Sequence, residues 1–126
     1  MNKEKPFVLL VEDDPDTAAL YQALLMGEGM EIKRCADRRQ ALAFWHGAEE
    51  KPDILILDMR LPDGNGLELC KKIRSSCQDP PPVLILSAHG GPALPRQCKK
   101  AGVVAYLDKL KDMDRFVDTV KGLLDH

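Results

Sequence analysis

Three unbroken apolar runs constrain this chain more than any other feature: Phe7-Val8-Leu9-Leu10-Val11, Ile54-Leu55-Ile56-Leu57 and Val83-Leu84-Ile85-Leu86. A strand with one wet face alternates apolar and polar residues, so a continuous run of this length is the pattern of a strand covered on both faces. Each run halts on a polar side chain, at Glu12, Asp58 and Ser87. Two weaker segments complete the series. Glu31 to Cys35 reads as a peripheral second strand, and Val103-Val104-Ala105-Tyr106-Leu107 reads as a last strand ending near Asp108 and Lys109.

Helical patterns fill the intervals. Asp14 is placed to cap a helix with Pro15 in its first turn. Ala18, Leu20, Tyr21, Leu24 and Leu25 form its apolar face, and Gly27 and Gly29 end it. Asp37 opens a helix whose Ala41, Leu42, Trp45 and Ala48 share one buried stripe, with Trp45 read as core. After Asp58 comes a loop with Pro62, Gly64 and Gly66, then a helix on Leu67, Cys70 and Ile73. Asp-Gly and Asn-Gly pairs can signal a hairpin, but Leu67 to Arg74 lacks the period of two of a return strand, which favours loop to helix. Met113, Phe116, Val117, Val120, Leu123 and Leu124 mark the last helix.

Strands alternating with helices imply an α/β fold with parallel strands, right-handed crossovers and helices on both faces. For five units the expected arrangement is a five-stranded, flavodoxin-like, doubly wound sheet in the order 2-1-3-4-5, with ligands beyond the carboxyl ends of the strands. A length of 126 residues suits one domain, 1–126. The 18 basic and 20 acidic residues leave a net charge of −2, without the clustered excess of cations that direct nucleic-acid binding needs. No apolar stretch is long enough for a signal peptide core or a membrane span, so a cytoplasmic location and no membrane association are expected. Cys35, Cys70, Cys77 and Cys98 lack C-x-x-C spacing and read as reduced thiols.

All carboxyl ends of a parallel sheet share one edge, which brings Glu12, Asp13, Asp58, Ser87 and Lys109 together. Carboxylates crowded in this way repel, and a hard divalent cation with oxygen ligands relieves them; Mg²⁺ suits best because it completes its shell with water and phosphate oxygens. Asp58 is then a candidate carboxylate nucleophile forming an aspartyl phosphate, with Ser87 and Lys109 on the phosphoryl oxygens. Asp14, preceding Pro15, reads as a helix cap.

Leu10-Val11-Glu12-Asp13-Asp14-Pro15, Asp58-Met59-Arg60-Leu61-Pro62-Asp63-Gly64-Asn65-Gly66, Leu86-Ser87-Ala88 and Tyr106-Leu107-Asp108-Lys109 together resemble the receiver domains of two-component response regulators, chemotaxis regulators included, over the whole chain. The resemblance implies Asp58 as phosphoacceptor, Asp13 as a direct Mg²⁺ ligand, Glu12 assisting through water, and the Arg60 carbonyl as a further ligand. It also implies Ser87 and Lys109 as phosphoryl-binding residues and Tyr106 as an aromatic switch that follows Ser87. The implied partners are a histidine kinase or histidine phosphotransfer protein and a downstream effector, the chain being a switch and not a turnover enzyme. Arg60 and His89 flank the site and are placed to tune loss of the phosphoryl group, although His89 reads equally as an exposed loop residue.

Two departures from the family pattern stand out. The active-site Lys is normally followed by Pro across a cis peptide, whereas Leu110 follows Lys109. A cis bond costs roughly 2.5 to 4 kcal/mol without proline and about 0.5 to 1 with it, so either that bond is strained or the loop differs. Gly90, Gly91, Pro92 and Pro95 stand where the fourth helix usually begins, so residues 88–95 are expected to be irregular and mobile, with a short helix from about Pro95 to Ala101. These departures motivate one alternative, a phosphorylation-independent pseudo-receiver scaffold. A phosphohydrolase is disfavoured because no second acid follows Asp58 closely and no cap-sized insertion exists.

Overall fold

Every residue of the three apolar runs is buried, and the rest of the molecule is arranged to cover them. The structure, a computed structural model, describes residues 5–88 and 91–125. In chain order the elements are β1 (Phe7–Val11), α1 (Pro15–Met26), β2 (Glu31–Cys35), α2 (Arg38–Gly47), β3 (Ile54–Asp58), the two-residue strands β4 (Arg60–Leu61) and β5 (Gly64–Asn65), α3 (Gly66–Ser75), β6 (Val83–Ser87), α4 (Leu94–Ala101), β7 (Ala105–Asp108), a 3-10 turn (Met113–Arg115) and α5 (Phe116–Leu124). The main sheet has the order β2-β1-β3-β6-β7 with every pair parallel. This is the expected doubly wound order, with β4 and β5 forming a separate antiparallel pair.

Because successive side chains of a strand point to opposite faces, each apolar run feeds two cores. Leu9, Val11, Leu55, Leu57, Val83 and Ile85 pack with Trp45, Leu69, Ile73 and Cys98 beneath α2, α3 and α4. Val8, Leu10, Ile54, Ile56, Leu84 and Leu86 pack with Tyr21, Leu25, Phe116 and Val120 beneath α1 and α5. Full burial of one such side chain contributes about 1.5 to 3 kcal/mol, so the two cores hold the register firmly.

Several boundaries differ from expectation. In α1 only Ala18, Tyr21 and Leu25 are buried; Leu20 and Leu24 point outward, at 57% and 40% exposure. The helix is apolar nearly all round, so spacing alone could not choose the buried stripe. Ala48 lies just past the end of α2 as its C-cap. The last helix begins at Phe116, Met113 lying in the 3-10 turn before it. A small hairpin does occur after Asp58, but its return strand is Gly64–Asn65 and not the helical Leu67 to Arg74. The fourth helix spans eight residues from Leu94, one residue earlier than expected.

The entry into α3 is the tightest point near the site. Asn65 caps the helix, its side chain accepting from Glu68 N at 2.8 Å. A Cβ on Gly66 would lie 2.4 Å from the Asp58 carbonyl oxygen. Gly66→Ala is therefore expected to destabilise the protein by about 1 to 3 kcal/mol, the usual cost of overpacking against a rigid neighbour. Urea unfolding of the two proteins measures this, and an unchanged midpoint would show that the approach relaxes freely.

Candidate functional site

The site is the row of residues at the carboxyl ends of β1, β3, β6 and β7. Register places Asp58 beside Leu86 and Ser87 beside Asp108. Apart from tyrosine, tryptophan and cysteine in the apolar cores, the described residues bury three polar or charged side chains: Glu12, Asp58 and Ser87, at 1%, 7% and 3% exposure. All three belong to this row. Burying ionised groups is costly unless they are paired, and here one cation serves two acids. Lys109 Nζ donates to Glu12 Oε1 at 2.8 Å and to Asp58 Oδ2 at 3.0 Å. The other Glu12 oxygen accepts from Asp14 N at 3.1 Å.

Asp13, by contrast, is exposed. Oxygens of Glu12, Asp13 and Asp58 lie within 4.8 Å of one another, the only such group of three among the described residues. A cavity of about 470 Å³ opens over Asp13 and Asp58, lined also by Arg60, Ser87 and Lys109 among others. An all-carboxylate donor set open to solvent on one side fits a hard divalent cation that keeps part of its water shell. A groove of similar size, about 430 Å³, lies between Trp45, Lys51 and Pro80 to Pro82, with no comparable cluster among the described residues.

The structure thus brings Glu12, Asp13, Asp58, Ser87 and Lys109 together as expected, with Arg60 on the cavity wall. Tyr106 stands on β7, 43% exposed. His89, and Gly90 in the segment expected to be irregular, lie outside the described residues. Lys109 reaches the acids without a cis peptide, for none occurs among the described residues, so the loop differs from the family pattern. Lys109 N donates to Ser87 O at 2.8 Å. Asp108 Oδ1 then accepts from Leu110 N and Lys111 N at 2.7 and 3.2 Å, and Asp112 Oδ2 accepts from Asp108 N at 2.9 Å. Two aspartates close the turn that proline would otherwise shape.

Two supporting residues were not evident in the sequence. Arg34, on β2, donates from Nε and Nη2 to Glu12 O at 3.0 and 2.8 Å, and from Nη2 to Asp13 O at 3.0 Å. Asp63, in the loop after β3, accepts from Arg38 N and Arg39 N of α2 at 2.9 and 3.0 Å. Arg34 carries no local signal, as a cation on a weak edge strand reads as solvated; Asp63 lies in the loop motif, but nothing there names α2 as its partner.

The model of the response regulator receiver domain matches residues 8–121. The chain belongs to that family. Among relatives of this receiver, the polar-differentiation response regulator DivK of Brucella anthropi is 28% identical over 118 residues, covering 93% of this chain and 94% of DivK. The transcriptional regulatory protein ZraR of Salmonella typhimurium is 30% identical over 126 residues, and there the chain spans 28% of the relative's length. The chemotaxis protein CheY4 of Vibrio cholerae superposes with a TM-score of 0.85 at 27% identity, over 94% of this receiver and 98% of that chain. Among the described residues no helix is long and apolar enough to cross a membrane.

Burial, the largest influence, pushes the Asp58 carboxyl up to about 6, and the charges of Glu12 and Asp13 act in the same direction against the pull of Lys109. Burial alone would lower the Lys109 ammonium, but its bonds to Glu12 and Asp58 raise it above the usual lysine range. An acid with a folded pKa above its unfolded value near 4 binds more protons folded than unfolded between the two, so its contribution to stability is lost as pH rises from about 4 to about 6. Asp58→Asn removes that loss and is expected to make the metal-free receiver more stable at pH 7.5, by on the order of 1 to 3 kcal/mol. Denaturation midpoints of both proteins from pH 4 to 8 test this; parallel curves would show that Asp58 titrates normally.

Proposed function

We propose that this receiver accepts a phosphoryl group on Asp58 in a Mg²⁺-dependent reaction and thereby changes its affinity for a partner. The observation that carries this is the asymmetry of Asp58. Its Oδ2 is held by Lys109, while Oδ1 accepts no hydrogen bond among the described residues and Asp58 lines the open cavity. One oxygen is anchored and the other is free to attack.

In the proposed reaction an Asp58 oxygen forms a bond to phosphorus as the bond to the donor breaks. With a phosphohistidine donor the leaving imidazole takes up a proton. Phosphoryl transfer depends chiefly on positioning and charge neutralisation. Lys109, already beside the attacking carboxylate, shifts onto the phosphoryl oxygens, and the Ser87 hydroxyl donates to them. Asp13, Asp58 and the Arg60 carbonyl, assisted by Glu12, would hold Mg²⁺, which when bound neutralises the developing charge on those oxygens. The phosphoryl group would draw Ser87 toward itself, and the exposed Tyr106 ring would turn in behind it, altering the surface around β7.

The donor is a histidine kinase or histidine phosphotransfer protein and the recipient of the signal a downstream effector protein or domain, in the cytoplasm; the domain would be 1–126. The chain then acts as a switch and not as a turnover enzyme. The altered turn after Lys109 motivated the pseudo-receiver reading. The aspartate-closed turn nevertheless delivers Lys109 to Asp58, which supports the phosphoacceptor reading.

Incubation with acetyl phosphate and Mg²⁺ is expected to add the mass of one phosphoryl group, lost on base or hydroxylamine treatment, and Asp58→Asn is expected to abolish it. Equal labelling of the Asn variant would overturn the assignment, and no labelling of the parent would favour the pseudo-receiver. Glu12 already satisfies both oxygens within the protein whereas Asp13 is exposed, so Asp13→Ala is expected to weaken Mg²⁺ binding more than Glu12→Ala does. Calorimetric titration decides, and a larger loss at Glu12 would reverse the two roles.

A further inference from the structure

We infer that Arg34 is a positioning residue for the metal-binding acids: its guanidinium clamps the consecutive carbonyls of Glu12 and Asp13 and so sets the direction in which the Asp13 carboxylate is offered to Mg²⁺. The inference rests on the phosphoacceptor reading above, and it concerns the edge strand β2, none of whose residues lines the cavity.

Arg34 is the penultimate residue of the edge strand β2, in register with Leu10 of β1. Its half-buried side chain runs past the end of β1 and places three hydrogen bonds, of 2.8 to 3.0 Å, on the two carbonyl oxygens. The two acids they belong to are held very differently. Glu12 is fixed through its own side chain, by Lys109 Nζ and Asp14 N, and its N–H is fixed by Cys35 O at 3.0 Å. Asp13 is exposed and its side chain makes no hydrogen bond or ion pair among the described residues. Its aim therefore follows from its backbone alone, and the peptide groups on either side of it are those whose carbonyls Arg34 grips. A forked, planar guanidinium is suited to this, because one rigid group reaches two acceptors at once.

The same cation has an opposing effect. Its positive charge lies near the acids and, acting alone, would weaken binding of a divalent cation. The two effects predict opposite signs for removal of the side chain. Loss of the clamp lets Asp13 sample directions that must be frozen again on binding, which weakens affinity; loss of the charge strengthens it. With three hydrogen bonds of 2.8 to 3.0 Å to the carbonyls, and with Arg34 not among the residues lining the cavity, the clamp dominates.

The test is calorimetric titration of the intact chain with Mg²⁺ alone, comparing the parent with Arg34→Ala and Arg34→Lys. Removal of groups that orient metal ligands commonly costs 10- to 100-fold in affinity, and for Arg34→Ala a loss of about tenfold is expected. Arg34→Lys keeps the charge but has one donor head in place of the fork, so it recovers part of the loss. Phosphorylation by acetyl phosphate is expected to be slowed at low Mg²⁺ and restored at saturating Mg²⁺, since the clamp acts on affinity and not on the transfer step. Circular dichroism at the titration temperature establishes that each variant is folded, and if the Ala variant is not, the Lys variant carries the decision. Unchanged or tighter Mg²⁺ binding in the folded variants, even with a lower melting temperature, would reduce Arg34 to a structural strand residue and overturn the inference. Failure of the underlying reading looks different: the parent itself would bind no Mg²⁺, or would bind it equally well after Asp13→Ala.

Discussion

The ends of three strands meet at one ammonium group. Lys109 is the cation that makes it tolerable to bury Glu12 and Asp58 side by side, and it joins residues far apart in sequence at the carboxyl edge of the sheet. Removing the ammonium would leave two buried carboxylates without a counter-charge, whereas removing the Asp58 charge leaves Lys109 paired with Glu12. Its geometry also explains the position of Asp58 between stability and chemistry. The carboxylate is buried enough to be disfavoured when ionised, yet the proposed phosphoryl transfer requires it ionised. On that proposal the folded protein would hold the carboxylate ionised at the expense of some stability, a common arrangement at functional sites.

Most of the frame was legible in the sequence because burial on both faces leaves a pattern with few alternatives. The runs at Phe7, Ile54 and Val83 could only be central strands, and each ended where a site residue was needed. Legibility fell where the pattern had two solutions. Leu20 and Leu24 are spaced four apart, as Tyr21 and Leu25 are, and only packing against β1 and α5 decides that Tyr21 and Leu25 turn inward. The two-residue strands after Asp58 are too short to leave a period at all.

What the sequence could not reveal is support that acts through the backbone. Arg34 binds carbonyl oxygens and Asp63 binds amide hydrogens; every residue has these groups, so neither partner is marked. The turn after Lys109 makes the same point in reverse. The missing proline was visible, but its replacement by hydrogen bonds from Asp108 and Asp112 depends on the geometry of residues that read as ordinary surface acids.

The division of each central strand between two cores has a consequence for how such a protein can vary. A slip of one residue in β3 would exchange every side chain between the faces and carry Asp58 to the wrong side of the sheet. No gradual route leads from one register to another, so the strands behave as a ruler with fixed marks. Variation is channelled into the connections that leave the carboxyl edge. There, Leu110 has taken the place of the family's proline and Arg34 reaches in from the sheet margin, and neither disturbs the spacing of the acids. Diversity among receivers built on this frame is then expected to accumulate as changes of loop chemistry, with the distance between Asp58 and Lys109 handed down unaltered.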